Sequence, residues 1–126
     1  MSDFVTIVEV GPRDGLQNEP QTLSTALRVE LIDRLAQCGL PVIEAGSFVS
    51  PKWVPQMAAT GEVLAGITTL PETRYPVLVP NLKGYELAIE AGAKEIALFT
   101  AASESFSQRN TNCSMAESIT RLKVVA

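Results

Sequence analysis

Val5-Thr6-Ile7-Val8-Glu9-Val10-Gly11-Pro12-Arg13-Asp14-Gly15-Leu16-Gln17-Asn18 runs from a β-branched stretch straight into a glycine-bracketed, charged turn. Residues 5–10 predict a strand, and Gly11-Pro12 ends it. Parallel α/β folds gather their chemistry just beyond the carboxyl ends of their strands, which is where this turn falls. Adjacent in a bend, Arg13 and Asp14 direct a fixed cation and an oxygen ligand into one pocket. Asp14 suits a hard divalent cation, and Arg13 suits a developing oxyanion or a carboxylate. From spacing alone, a plain surface turn accounts for the pair equally well.

Working outward, the same alternation of β-rich and amphipathic runs repeats. Ser24 predicts an N-cap for a helix from Thr25 to about Gln37, with Leu27, Leu31, Ile32 and Leu35 on its apolar face and Gly39 just past its end. Residues 41–46 predict a second strand, followed by an irregular stretch from Ser47 to Ala59 and a helix from Thr60 to Ile67. Residues 75–80 give a third strand and Lys83 to Ala91 a helix closed by Gly92; residues 95–100 give a fourth. Ser114 and Glu117 form the capping box of a last helix. Four βα units in a row mean parallel strands and an α/β fold. Two architectures fit, an open doubly wound sheet or part of a (β/α)8 barrel, and periodicity alone leans to the open sheet. A whole barrel takes about 250 residues, whereas this chain has 126. No glycine-rich phosphate loop follows the first strand, which weakens a nucleotide-binding reading.

The second candidate carboxylate is Glu44, near the end of the second strand. In an apolar strand it must be paired or functional, and Arg13 on the neighbouring strand is its natural partner. Glu9 carries the same ambiguity. The loop 47–59 mixes an aromatic pair, two prolines and hydroxyls, suited to walling a pocket, although a merely packed loop explains its composition as well. Asn81 and the segment Ala101-Ala102-Ser103-Glu104 follow the third and fourth strands, either as rim residues or as caps.

Hydrophobic residues make up 46% and charged residues 19% of the chain, a globular composition. A net charge of −4 argues against nucleic-acid and anionic-membrane partners. No apolar stretch approaches the ~20 residues of a membrane span. Cys38 and Cys113 match no metal or redox spacing, and two reduced thiols are the favoured reading. The chain begins directly in what reads as folded protein, with no leader-like segment, so the expected location is cytoplasmic. There is no histidine.

Three segments together, Val10-Gly11-Pro12-Arg13-Asp14-Gly15-Leu16-Gln17-Asn18, residues 42–57 and Pro80-Asn81-Leu82-Lys83-Gly84, resemble the hydroxymethylglutaryl-CoA lyase family. The Arg13-Asp14-Gly15-x-Gln17 element is shared across a wider group of metal-dependent barrel lyases and synthases. The run Ser47-Phe48-Val49-Ser50-Pro51-Lys52-Trp53-Val54-Pro55-Gln56-Met57 points to the lyase. This resemblance implies the N-terminal half of a (β/α)8 TIM barrel, one partial catalytic domain over residues 1–126. It also implies a carbon–carbon lyase acting on an acyl-CoA substrate with a divalent metal, Mg2+ or Mn2+. Carried over, Arg13 is similar to the family's catalytic arginine and Asp14 to its metal-binding aspartate. Glu44, at an acidic position near that arginine, is placed with it among the catalytic residues, while Gln17, which closes the motif, and Ser47, which opens the loop, are placed with Arg13 as substrate-binding. The family's other metal ligands, two histidines and an asparagine, and its catalytic cysteine belong to the later half of the barrel. With one protein carboxylate the implied metal site is weak, and the chain alone is expected to be inactive. Three explanations stand side by side: a piece of a longer lyase, a split gene product, or a stand-alone half-barrel. Exposed sheet edges further imply self-association, a homodimer included.

Overall fold

The computed structural model describes residues 3–126, so Met1 and Ser2, read above as the start of folded protein, lie outside the described residues. Five short ladder segments carry the sheet: β1 (Val8–Glu9), β2 (Val42–Ile43), β3 (Gly46–Ser47), β4 (Val77–Leu78) and β5 (Ile96–Ala97). All pairings are parallel, β1 with β2, β3 with β4 and β4 with β5. β2 and β3 belong to one extended run, residues 42–47, that serves both sides. Glu44 N–H donates to the Glu9 carbonyl at 2.9 Å, whereas Ile43 and Ala45 N–H donate to the Arg74 and Pro76 carbonyls at 2.9 Å each. Four neighbouring strands therefore lie in the order in which they occur in sequence. An open doubly wound sheet reverses its strand order at a switch point; here none occurs, and the winding is that of a barrel.

Among the described residues, five α-helices accompany the strands: α1 (Thr25–Gln37), α2 (Thr60–Gly66), α3 (Leu82–Glu90), α4 (Glu104–Thr111) and α5 (Met115–Lys123). Their starts follow side-chain chemistry. Ser24, Asn81, Ser103 and Ser114 each accept a backbone N–H of the first turn, and Ser114 with Glu117 completes the capping box. Gly39 and Gly92 take positive φ, 83° and 81°, just past α1 and α3. Asn81 and Ser103 are thus caps rather than rim groups. α4 adds a helix beyond those the periodicity predicts, because its sequence Glu104-Ser105-Phe106-Ser107-Gln108-Arg109-Asn110-Thr111 is polar nearly throughout and shows no apolar stripe.

The core lies between sheet and helices. Ile43, Ala45, Val77 and Val79 from the strands meet Ile32 and Ala36 of α1, Val63 of α2 and Ala88 of α3. Strand alternation sends Ile43 and Ala45 into this layer and turns Glu44 to the opposite face. Two expectations are corrected. The apolar face of α1 is rotated: Leu27 is 52% exposed, and the buried stripe is Arg28, Ile32 and Ala36. The first strand is also shorter than residues 5–10, since Phe4, Val5 and Ile7 stand exposed. β1 has a neighbour on one side only, so nothing holds its beginning in a ladder. The same incompleteness leaves Val8 and Val10 at this edge, and Leu98 and Phe99 after β5, open to solvent.

Candidate active site at the carboxyl rim

The turn after β1 is a single wide helical turn, Gly11–Gly15, in which the Val10 carbonyl accepts from Arg13 N–H at 3.1 Å and Gly15 N–H at 3.2 Å. Pro12 is buried beneath it and holds the entry rigid. Glu9 caps the turn, its carboxylate accepting from Gly11 N–H at 2.8 Å; that role explains a carboxylate at the strand's end. Asn18 donates to the Asp14 carbonyl at 2.8 Å and closes the other side.

So constrained, Arg13 reaches across the sheet. Its Nε donates to Glu44 Oε1, and its Nη1 lies 3.2 Å from Asp14 Oδ1. Glu44 is 8% exposed and is satisfied by Arg13, whereas the Asp14 side chain is 53% exposed. A buried carboxylate fixes the planar guanidinium from one side, and its Nη1 faces the exposed Asp14 carboxylate. Arg13, Asp14 and Glu44 are therefore brought together. Gln17 is half-buried in the same loop and makes no side-chain hydrogen bond among the described residues.

Ser47 is placed differently. It is 1% exposed, its hydroxyl donates to the Leu78 carbonyl at 3.2 Å, and its own carbonyl receives the Thr60 hydroxyl at 3.0 Å. Both polar groups are engaged, so Ser47 seats the loop rather than presenting a free hydroxyl. The loop's far part meets the first loop, with Gln56 donating to the Glu19 carbonyl at 2.9 Å. An open apolar cleft lies between this loop, α2 and α3, lined by Phe48, Met57 and Thr60. Arg13 and Asp14 are not part of it, since its walls come from the loop and the two helices.

Among the described residues, no group of three or more His, Cys, Asp or Glu side chains is gathered to hold a metal ion. Asp14 offers one exposed carboxylate, already shared with Arg13. One such ligand does not hold a divalent ion tightly, so this chain fits part of a metal site and not a whole one. No helix among the described residues is long and apolar enough to cross a membrane.

Sequence reasoning missed Arg28 and Thr60. Arg28 is 2% exposed, with Nη2 3.2 Å from Thr60 Oγ1 and Nη1 bonded to the Ala58 carbonyl. The only signal for it was its spacing from Ile32 and Ala36, four residues and eight, on one helix face.

Sequentially wound parallel strands with an oriented arginine and carboxylates at their carboxyl ends define the class: the front part of a (β/α)8-barrel enzyme. The HMGL-like family model matches residues 4–126, and the chain belongs to that family. It is 60% identical over 123 residues to the mitochondrial hydroxymethylglutaryl-CoA lyase of Arabidopsis thaliana, covering 98% of this chain and 26% of that protein. Against the 3-hydroxy-3-isohexenylglutaryl-CoA/hydroxymethylglutaryl-CoA lyase of Pseudomonas aeruginosa it is 60% identical over 117 residues, 93% of this chain and 39% of the other. The crystal structure of hydroxymethylglutaryl-CoA lyase from P. aeruginosa superimposes with a TM-score of 0.93 at 59% identity, over 96% of this chain and 40% of that one. A lyase from Acinetobacter baumannii in complex with coenzyme A and 3-methylmalate gives 0.90 at 41% identity, over 97% and 41%. The chain thus spans between a quarter and about two fifths of these relatives.

Proposed function

We propose that this chain is the arginine-bearing portion of a lyase that cleaves 3-hydroxy-3-methylglutaryl-CoA to acetyl-CoA and acetoacetate. The observation that carries the reading is the Arg13–Glu44 pair beside Asp14 at the carboxyl rim, in a chain 60% identical to hydroxymethylglutaryl-CoA lyases. In that reaction the tertiary hydroxyl loses its proton and becomes the acetoacetate ketone. The carbon–carbon bond to the acetyl-CoA carbon breaks, its electron pair passes into the enolate of acetyl-CoA, and a proton then quenches it. Arg13 stabilises the negative oxygen that develops, with its donors held in line by Glu44. A divalent cation, Mg2+ or Mn2+, supplies electrophilic polarisation of the substrate oxygens when bound, and Asp14 is the ligand this chain contributes. Gln17 supports the same loop, and Ser47 contributes to binding by seating the wall formed by residues 48–57. No residue of this chain is assigned as base or final acid.

The test joins this chain to the remaining portion of a related barrel and follows acetoacetate in a metal-dependent assay. Turnover is expected from the assembly, and Arg13→Met is expected to abolish it. Turnover by the 126-residue chain alone, at the rate of a complete lyase, would overturn the reading. A second reading has its own support: the P. aeruginosa relative's name includes an isohexenyl substrate at the same 60% identity. A panel of 3-alkyl substrates separates a methyl-selective enzyme from one accepting longer chains, and acetyl-CoA condensation without cleavage would mark a synthase. A non-catalytic half-barrel module predicts a stable complex with the missing part and no turnover. Self-association through the exposed edges of β1 and β5, homodimers included, follows from the same incompleteness. A reducing compartment such as the cytoplasm suits the free thiols of Cys38 and Cys113.

A further inference from the structure

A buried cation needs a counter-charge or a full set of acceptors. Arg28 has no carboxylate partner among the described residues, and its Nε is buried without an acceptor. Its two other nitrogens each donate one bond, and both bonds go to the same segment. Nη1 holds the Ala58 carbonyl and Nη2 the Thr60 hydroxyl oxygen. That oxygen in turn lies 3.0 Å from the Ser47 carbonyl and 2.8 Å from the Met57 carbonyl, which share its single hydrogen. Directly or through one hydroxyl, Arg28 therefore touches both ends of the loop 47–59. Two further features serve the same knot. Ala59 turns the chain with φ 58°. Gly46 leaves room for the cluster, since a Cβ there would stand 2.7 Å from Thr60 Cγ2 and 3.3 Å from Arg28 Nη2.

We propose that Arg28 is a positioning residue that clamps both feet of the loop 47–59 and so fixes the wall facing the substrate. The inference rests on the reading that this loop meets an acyl-CoA ester. Packing alone does not call for a cation here, because a methionine would fill the gap between α1 and α2 without leaving an unpaired donor. Burial pushes the Arg28 pKa below the ordinary arginine range, yet the group stays charged at neutral pH. A planar fork reaches two separated acceptors from two different nitrogens in a fixed geometry, whereas a lysine brings its three donors to a single point.

Amide hydrogen exchange on this chain tests the clamp. Arg28→Met is expected to speed exchange of the hydrogen-bonded loop amides of Trp53, Val54 and Met57 by roughly tenfold or more, since bonds from a charged donor are the strong kind. Exchange in α3 and β4 is expected to stay as it was. Arg28→Lys should restore part of the protection. Thr60→Val, which removes the relay and keeps the shape, should loosen the loop even if Arg28→Met fails to fold. Unchanged loop exchange in these variants, or equal acceleration in α3 and β4, would overturn the proposal. The acetoacetate assay stands apart from this: failure of the substrate reading leaves the exchange pattern in place, and failure of the clamp leaves turnover in place.

Discussion

At the level of single residues, the site depends on which charge has a partner. Glu44 is nearly enclosed and answered by Arg13, whereas Asp14 looks outward, and the two carboxylates should respond differently to substitution. Glu44→Gln keeps the volume and removes the charge. It should lower stability by about 1–3 kcal/mol in urea unfolding, less than for a fully buried pair because the rim admits water. In the assembled enzyme it should reduce kcat more than it raises KM, as expected when a transition-state donor is mis-aimed. Asp14→Ala should leave the unfolding midpoint within about 0.5 kcal/mol, as for most exposed positions. It should nevertheless eliminate metal-dependent turnover, so a variant that keeps turnover at the same metal concentration removes Asp14 from the ligand set.

Among the elements, helix boundaries were the most legible from sequence. Ser24 and Ser114 are the side-chain caps expected, and the positive-φ glycines 39 and 92 stop α1 and α3 where the spacing put them. Strand positions were legible too, but their lengths were not. Ladder length depends on neighbours, and a sequence window contains no information on whether a neighbour exists. α4 escaped because its start is set by Ser103 and its interior has no apolar period. Within the site, the Arg13–Asp14 turn was readable as local chemistry. Its link to Glu44 was readable too, because a carboxylate in an apolar strand needs a partner and consecutive parallel strands adjoin, whereas the α1–loop knot around Arg28 required the third dimension. The edge of β1 yields an elemental prediction. Val8 is half exposed on a strand paired on one side only, and a charged residue there blunts edge pairing. Val8→Lys should reduce the apparent mass of the isolated chain in light scattering, whereas an unchanged mass would place self-association elsewhere.

For the molecule as a whole, periodicity alone left open sheet and barrel both standing, the motif resemblance chose the barrel, and the sequential strand order agrees with that choice. The same order explains why the candidate site is partial: the residues in hand come from one side of a rim, and the space in front of Arg13 has no opposite wall. It also bears on how such a chain comes off the ribosome. Each strand pairs with the one synthesised just before it, so contacts close over short stretches of chain and the sheet grows in the direction of translation. The Arg13–Glu44 bridge needs nothing later than the run 42–47. The carboxylate that orients Arg13 thus lies in chain made before β4 and β5.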